Sequence, residues 1–202
     1  MQLQLFGATS PAGAALLDIV KNAAPTWSIL AYSRTPSNSS NELLYADFTS
    51  PDFHLPKFDN SSPALFISFA PIWLFAQYIC GIAERHPEYL RLLSGLIACS
   101  SSSIYTKKYA SNRLDKQLVS KLKSAELLLL STCRQIGLKC SILQPTLIYG
   151  TVGKYSDKNL SRIVNLLRKS PVIPMPSHTG KRQPIHAYQL ASVAIKMAQT
   201  LE

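Results

Sequence analysis

The sequence predicts an α/β fold in which a doubly wound parallel sheet carries helices on both faces. Short apolar runs alternate with segments of helical spacing along most of the 202 residues. This alternation is typical of parallel strands joined by right-handed helical crossovers. The runs at 95–99 and 139–143 are nearly continuous in apolar side chains, as expected for strands covered on both faces. These observations together predict a sheet of the Rossmann type.

The first strand leads into a tight turn at 7–13 and then directly into a helix. Gly7 allows the tight turn, and Gly13 lets the helix pack close to the strand. The N–H groups of such a turn and the positive end of the helix attract an anion. Ser10 stands where the middle glycine is usual, and its hydroxyl is an expected donor to that anion. We therefore predict a phosphate-binding turn.

The remaining elements follow in alternation. Strands are predicted at 2–6, 27–32, 42–45, 64–69, 95–99 and 139–143. Helices are predicted at 11–22, 71–85, 112–136, 157–169 and 188–200. In sheets of this kind ligands bind beyond the carboxyl ends of the strands, so the segments that follow the strands are the candidate site.

Composition indicates one folding domain over 1–202, because a 47% hydrophobic chain of this length supports one sizeable core. The four cysteines lie in apolar surroundings without a C-x-x-C pair. They are typical of buried thiols in a reduced compartment, with neither disulfides nor a metal site. The N-terminus lacks the basic leader of a signal peptide, so we expect a cytoplasmic protein.

The net charge and one uncharged stretch could indicate binding to nucleic acid or to a membrane, but the arrangement of the residues disfavours both. The net charge of +10 would suit nucleic acid, but the basic residues are spread along the chain without an aromatic platform or a binding motif. Attraction of an anionic nucleotide explains the charge as well. The uncharged stretch 63–83 has the length of a bilayer span, yet Pro63 and Pro71 divide it into a strand and a helix. We expect no nucleic-acid partner and no membrane partner.

Six short motifs follow the predicted strands in order. They are the turn at 7–13, Ser33-Arg34, Asp47-Phe48, Phe69-Ala70-Pro71, the serine-rich segment 99–105 and the segment 142–150. With Arg182 to His186 further on, they resemble the NAD(P)-dependent epimerase/dehydratase branch of the extended (atypical) short-chain dehydrogenase/reductase family. Each motif is weak alone, but six in the right order are hard to explain by chance. The resemblance implies a Rossmann-type sheet with a small C-terminal substrate-side lobe at about 144–187.

The resemblance also implies a nicotinamide dinucleotide cofactor and its contacts. The implied cofactor-binding residues are Gly7, Thr9, Ser10, Pro11, Ala12, Gly13, Ser33, Arg34, Asp47, Phe48, Phe69, Ala70, Pro71 and Pro145. A carboxylate after the second strand normally selects NAD, whereas an arginine accommodates the 2′-phosphate of NADP. Because Ser33-Arg34 stands there without an acid, we expect NADP, with NAD as the alternative. The competing interpretation is that Arg34 is a solvent-exposed loop residue.

The catalytic residues are only partly recognisable. The family uses a Ser or Thr, a Tyr that moves the proton, and a Lys that follows the Tyr after three intervening residues and lowers its pKa. Ser101 fits the first role and Lys121 the last, but Gln117 then stands at the tyrosine position. Aligning Lys123 instead places Val119 there, which moves no proton either.

Two other tyrosines are candidates for the missing group. Tyr105 ends the serine-rich segment 99–105 that contains Ser101. It is the better candidate, although in the family that position is mostly a substrate contact. Tyr109 has the right spacing to Arg113, but it lies too close to Ser101 and pairs with Arg instead of Lys. We therefore predict Ser101, Tyr105 and Lys121 as the catalytic set, while Lys121 also suits a surface helix position.

The substrate side is implied by the same resemblance. Its predicted residues are Thr146, Tyr149, Arg182 and His186, with packing as the competing role of His186. The expected partner is a nucleotide-activated sugar, and a homodimer is a further option. The expected reaction is redox isomerisation or reduction with hydride transfer to the bound nicotinamide. The alternative is a sensor or assembly protein that kept the cofactor site and lost the tyrosine.

Overall fold

A six-stranded parallel sheet organises the residues that this computed structural model describes, which are 2–22, 27–34, 43–45, 63–158, 160–170, 172 and 183–201. Its strands are β1 (Gln2–Phe6), β2 (Ser28–Ser33), β3 (Leu43–Tyr45), β4 (Ala64–Ser68), β5 (Leu93–Cys99) and β6 (Cys140–Leu143). Their spatial order is β3-β2-β1-β4-β5-β6, and every pair is parallel. The predicted doubly wound sheet is therefore confirmed.

Helices cover both faces of the sheet. They are α1 (Pro11–Asn22), α2 (Ile72–Arg85), α3 (Pro87–Leu90), α4 (Ser103–Thr106), α5 (Arg113–Gln135), α6 (Leu160–Lys169) and α7 (Ala187–Leu201). Four shorter strands follow β6, namely β7 (Ile148–Tyr149), β8 (Thr151–Val152), β9 (Tyr155–Ser156) and β10 (Ile185–His186). β7 pairs in parallel with β10, and β8 forms an antiparallel hairpin with β9.

The central strand β1 is covered on both of its faces, and all five of its residues are buried. Leu3 and Leu5 point to the side of α1 and α7, where they are fully buried. Phe6 points to the side of α2 and α5, stacked on Tyr32 at 4.9 Å and edge-on to Phe66 at 5.0 Å between ring centroids. β4 and β5 also have a core on each side, which explains their nearly continuous apolar runs, whereas β1 alternates leucine with the buried Gln2 and Gln4.

Each predicted strand and helix lies within a few residues of an observed one, whereas α3, α4 and β7 to β10 were not predicted. The helix predicted from 157 begins at Leu160, because the Asp157 carboxylate accepts hydrogen bonds from the N–H groups of Leu160 and Ser161 and so precedes the first turn. The uncharged stretch 63–83 divides into β4 and α2, as predicted. Of the helices in the described ranges, none combines the length and apolarity needed to cross a bilayer.

Candidate functional site

A cavity of about 430 Å³ opens beyond the carboxyl ends of β1, β2 and β4, where the strand order reverses on either side of β1. This reversal is where open α/β sheets bind ligands. Its lining includes these predicted cofactor residues: Gly7, Thr9, Ser10, Pro11, Ala12, Ser33, Arg34, Phe69, Ala70 and Pro71. Gly13 and Pro145 do not line it, and Asp47 and Phe48 lie outside the described residues.

Glycine is required at position 7 because the turn after β1 lies directly against the segment Phe69-Ala70 that follows β4. Its φ is +76°, and an added Cβ would lie 2.5 Å from the nitrogen of Ala70 and 2.6 Å from the carbonyl carbon of Phe69. The N–H of Phe69 donates to the carbonyl of Phe6 at 2.9 Å, which fixes that approach. A side chain at Gly7 would force β1 and β4 apart at the cavity floor.

Gly13 brings the first turn of α1 against the end of β1. An added Cβ there would overlap the carbonyl oxygen of Gly7 and lie 2.9 Å from the Cα of Ala8. The start of α1 is therefore held directly behind the turn. Since the first N–H groups of a helix have no partner within it, they supply positive potential at this end of the cavity.

Ser10 acts inside the turn. Its hydroxyl donates to the carbonyl of Gly7 at 2.8 Å and accepts from the N–H of Gly13 at 3.0 Å. In this structure the hydroxyl bonds within the turn, and its contact with a bound anion stays a prediction. Ser10 caps α1 and stabilises the tight turn.

The end of β2 forms a second side of the cavity. Tyr32 is anchored from both sides, since its ring stacks on Phe6 and its hydroxyl donates to Gln4 at 2.6 Å. Ser33 is buried, and Arg34 is exposed at the cavity rim. Arg34 thus stands at the ligand-facing end of β2, where the sequence predicted it.

A third side was predicted only in part, since Ile148 lies in the segment 142–150 and the other residues of this side were not assigned to the site. Ile148, Ser156, Asp157 and Lys158 line the cavity from the segment that contains the β8–β9 hairpin. Burial alone would raise the pKa of Asp157, but hydrogen bonds from Ser161, Leu160 and Gly150 outweigh it and hold that pKa below its usual value. The sequence did contain a signal for this segment, namely an aspartate directly before an amphipathic helical run.

Two further lining residues, Leu74 and Cys99, come from α2 and β5 and were also not assigned to the site. Burial raises the pKa of the Cys99 thiol to about 12. Cys99 is therefore a neutral, apolar part of the wall at neutral pH and no nucleophile.

The predicted catalytic residues do not meet at the cavity, since Ser101, Tyr105 and Lys121 are all absent from its lining. The Ser101 hydroxyl donates to the Ser103 hydroxyl at 3.0 Å and accepts from the Ser103 N–H at 3.2 Å. The Tyr105 side chain is 64% exposed on α4. The amine of Lys121 lies over the ring of Trp73, 4.3 Å from its centroid.

Three of the predicted substrate-side residues, Thr146, Tyr149 and His186, lie on or beside the β7–β10 pair. The rings of Tyr149 and His186 meet edge-on at 5.0 Å across the β7–β10 pair. The Thr146 hydroxyl donates to the carbonyl of Gln183. His186 also accepts at Nδ1 from the N–H of Tyr188 at 3.3 Å, and its ring stacks on that of Tyr188 at 5.8 Å. Arg182 lies outside the described residues.

Neither a protein-family model nor a curated protein matches the chain. Solved structures do match. UDP-glucuronic acid 4-epimerase from Bacillus cereus in complex with NAD aligns at TM-score 0.69 and 14% identity over 98% of this chain and 74% of that one. MoeE5 in complex with UDP-glucose and NAD aligns at 0.68 and 18%, over 100% and 73%. Vestitone reductase from alfalfa aligns at 0.67 and 16%, over 100% and 73%. The chain therefore has the Rossmann-type fold that these solved structures share.

Proposed function

We propose that this chain is an NAD(P)-binding oxidoreductase of the epimerase and reductase kind, with NADP as its preferred cofactor and a nucleotide-activated sugar as its substrate. The observation that carries the proposal is the cavity at the reversal of strand order, where a glycine turn, a helix N-terminus and Arg34 come together. The solved epimerase and MoeE5 are both complexes with NAD, which supports a nicotinamide dinucleotide as the ligand.

The residues present fit such a cofactor. Gly7 and Gly13 let the turn pack tightly against Phe69-Ala70 and against the start of α1, and the positive end of α1 borders the cavity. A volume of about 430 Å³ lies within the range of small-molecule sites. Ser33 and Arg34 at the end of β2 are polar groups for the adenosine ribose and its substituent.

Arg34 supports NADP over NAD. A guanidinium presents several donors in a planar arrangement that matches a phosphate group, whereas a ribose 2′-hydroxyl is best bound by a carboxylate. Among the described residues of the lining, the one carboxylate is Asp157, which bonds Gly150, Leu160 and Ser161 and belongs to the β8–β9 side. No acid therefore competes with Arg34 at the described end of β2.

When bound, the cofactor supplies hydride exchange with a substrate carbon. The chain's own part is to hold the dinucleotide at the turn, to border the cavity with Phe69, Ala70 and Cys99, and to position the substrate. Thr146, Tyr149, Arg182 and His186 are the proposed substrate contacts. Tyr105 is the proposed proton-transfer group, with Ser101 to orient the substrate hydroxyl.

A panel of UDP-, GDP- and dTDP-sugars, incubated with NADP or NAD and examined by product analysis, tests the enzymatic proposal. We expect conversion of at least one sugar, and we expect Tyr105→Phe to reduce turnover by about 10²–10⁴-fold while sparing cofactor binding. Tyr109→Phe, at the other exposed candidate tyrosine, is the comparison and should leave turnover unchanged. Turnover that survives Tyr105→Phe would contradict the role of Tyr105.

A second candidate function is dinucleotide binding without turnover, as in a sensor or assembly protein. The observation in its favour is that Lys121 contacts Trp73, and Tyr105 is 64% exposed, both away from the cavity lining. Under this proposal the wild-type protein binds NADPH, and product analysis detects no change in any sugar of the panel.

A further inference from the structure

The turn before α1 has few free hydrogen-bond donors for a pyrophosphate. The N–H of Ser10 donates to the Gly7 carbonyl at 3.0 Å, and the N–H of Gly13 donates to the Ser10 hydroxyl at 3.0 Å. Pro11 has no N–H. Gly7, Thr9 and Ala12 are the remaining cavity-lining residues of the turn that carry an N–H. A doubly charged pyrophosphate therefore needs a further cationic or donor group.

The β8–β9 hairpin is fixed beside this turn. Val152 on β8 is 7% exposed and packs in the same apolar cluster as Ala8 and Leu16 of the turn and α1. The base of the hairpin is closed twice, since the Gly150 N–H donates to the Asp157 carboxylate at 3.3 Å and the Asp157 N–H donates to the Gly150 carbonyl at 3.2 Å. The hairpin thus belongs to the same packed unit as the start of α1.

Asp157 also fixes the chain that follows the hairpin. One carboxylate oxygen accepts from the N–H of Leu160 at 2.6 Å and of Ser161 at 3.1 Å, and the other accepts from the Ser161 hydroxyl at 3.1 Å. These bonds use the carboxylate as the cap of α6, so its charge is met by the helix end. Lys158 lies between this cap and the helix, in the cavity wall.

Lys158 places a cationic side chain in the cavity wall. Its side chain is exposed, lines the cavity and makes no ion pair within the described ranges. It and Arg34 are the two cations of the described lining. They belong to different sides, because Arg34 follows β2, whereas Lys158 follows the hairpin packed on α1. The cavity therefore has one cationic side chain on each of two sides, so it suits a ligand that carries two anionic groups.

We propose that Lys158 is a further cofactor-binding residue, which contacts the pyrophosphate of the dinucleotide and replaces the donors that Ser10 and Pro11 withhold from it. This inference rests on the proposed NAD(P) binding. It divides the anionic groups of NADP between two cations, the 2′-phosphate to Arg34 and the pyrophosphate to Lys158.

Binding titrations of four ligands to the full chain test this assignment. NADPH, NADH and ADP-ribose share the pyrophosphate, whereas adenosine 2′-phosphate lacks it. We expect Lys158→Ala to weaken the first three by the same factor, about three- to tenfold, and to leave the fourth unchanged. Lys158→Arg should restore most of the affinity. Lys154→Ala is the matched control, because Lys154 is an exposed lysine in the turn of the same hairpin and does not line the cavity.

The possible outcomes separate the two proposals. Equal affinities for Lys158→Ala and Lys154→Ala would overturn the role of Lys158 while leaving NAD(P) binding intact. A loss for NADPH alone, with NADH and ADP-ribose unchanged, would also overturn it, because Lys158 would then contact the 2′-phosphate. If the wild-type protein bound none of the three dinucleotide ligands, the proposed function itself would fail, and this inference with it.

Discussion

The amine of Lys121 lies 4.3 Å from the centroid of the Trp73 ring, a cation–π contact that joins α5 to the first turn of α2. A catalytic lysine of the family would instead act on a tyrosine four positions earlier in the sequence. That position holds Gln117, whose side chain is exposed. In this structure Lys121 therefore contributes to helix packing.

We predict that Lys121→Ala lowers the free energy of unfolding by about 0.5–1 kcal/mol, the usual size of an exposed cation–π contact, and leaves NADPH affinity unchanged. Urea unfolding and a cofactor titration measure the two quantities. Lys123→Ala, an exposed lysine on the same helix, is the control and should change neither. A loss of turnover by Lys121→Ala at unchanged stability would restore the catalytic assignment.

Cofactor preference depends on Arg34. We expect Arg34→Ala to weaken NADPH binding about tenfold or more and to leave NADH affinity nearly unchanged, because the guanidinium contacts only the 2′-phosphate. Arg91→Ala, an exposed arginine outside the cavity, should leave both affinities unchanged. Parallel fluorescence titrations with NADPH and NADH provide the comparison. Equal affinities of the wild-type protein for the two cofactors would show that Arg34 is only a loop residue.

Ser10 should matter for stability and not for the ligand. Ser10→Ala removes the bonds to Gly7 and Gly13, so we expect a loss of about 1 kcal/mol in the free energy of unfolding, as for other helix caps. NADPH affinity should stay within about twofold, because the hydroxyl that is lost donates to the Gly7 carbonyl. Ser192→Ala, which removes a hydroxyl bonded within α7, is the stability control. A large fall in affinity at unchanged stability would mean that the hydroxyl contacts the cofactor after all.

Much of the fold could be predicted because its signals are local. The glycine turn marked the first strand–helix junction, and Pro71 marked the start of α2 within one residue. Strands buried on both faces gave the apolar runs that identify a parallel sheet. The short strands β7 to β10 were missed, because two-residue strands show no periodicity and form only through tertiary contacts.

The candidate site was also predicted only in part. Residues that directly follow β1, β2 and β4 were found by the rule that ligands bind at strand ends, and they line one cavity. Asp157 and Lys158 were missed because their place depends on the hairpin closing against Gly150, far from any long strand. Tyr105 was predicted from its distance to Ser101 in sequence, but α4 turns its side chain outward.

Asp157 should make the stability of the protein depend on pH. Its pKa is lower in the folded chain, so it stabilises the fold above its unfolded pKa of about 3.9, and this contribution is lost as the pH falls through the folded value. We expect Asp157→Ala to lose about 1 kcal/mol at neutral pH. The difference from wild type should shrink in acid below the unfolded pKa.

Asp157→Asn is the matched control, because asparagine also caps helices but does not titrate. Urea unfolding of the three proteins at neutral and acidic pH gives the comparison. A gap between wild type and Asp157→Ala that stays constant with pH would contradict the charged role of this cap.

The most direct test of the central claim is a fluorescence titration of NADPH into the wild-type protein and two proline variants. Pro11 is the first residue of α1 and lines the cavity, whereas Pro87 is the first residue of α3 and does not. An acidic residue at a helix N-terminus favours the helix, so Pro11→Glu should fold, yet its carboxylate would repel a bound pyrophosphate. We expect saturable binding to wild type and Pro87→Glu and at least about tenfold weaker binding to Pro11→Glu. Equal binding by both variants, or no binding by the wild-type protein, would contradict the central claim.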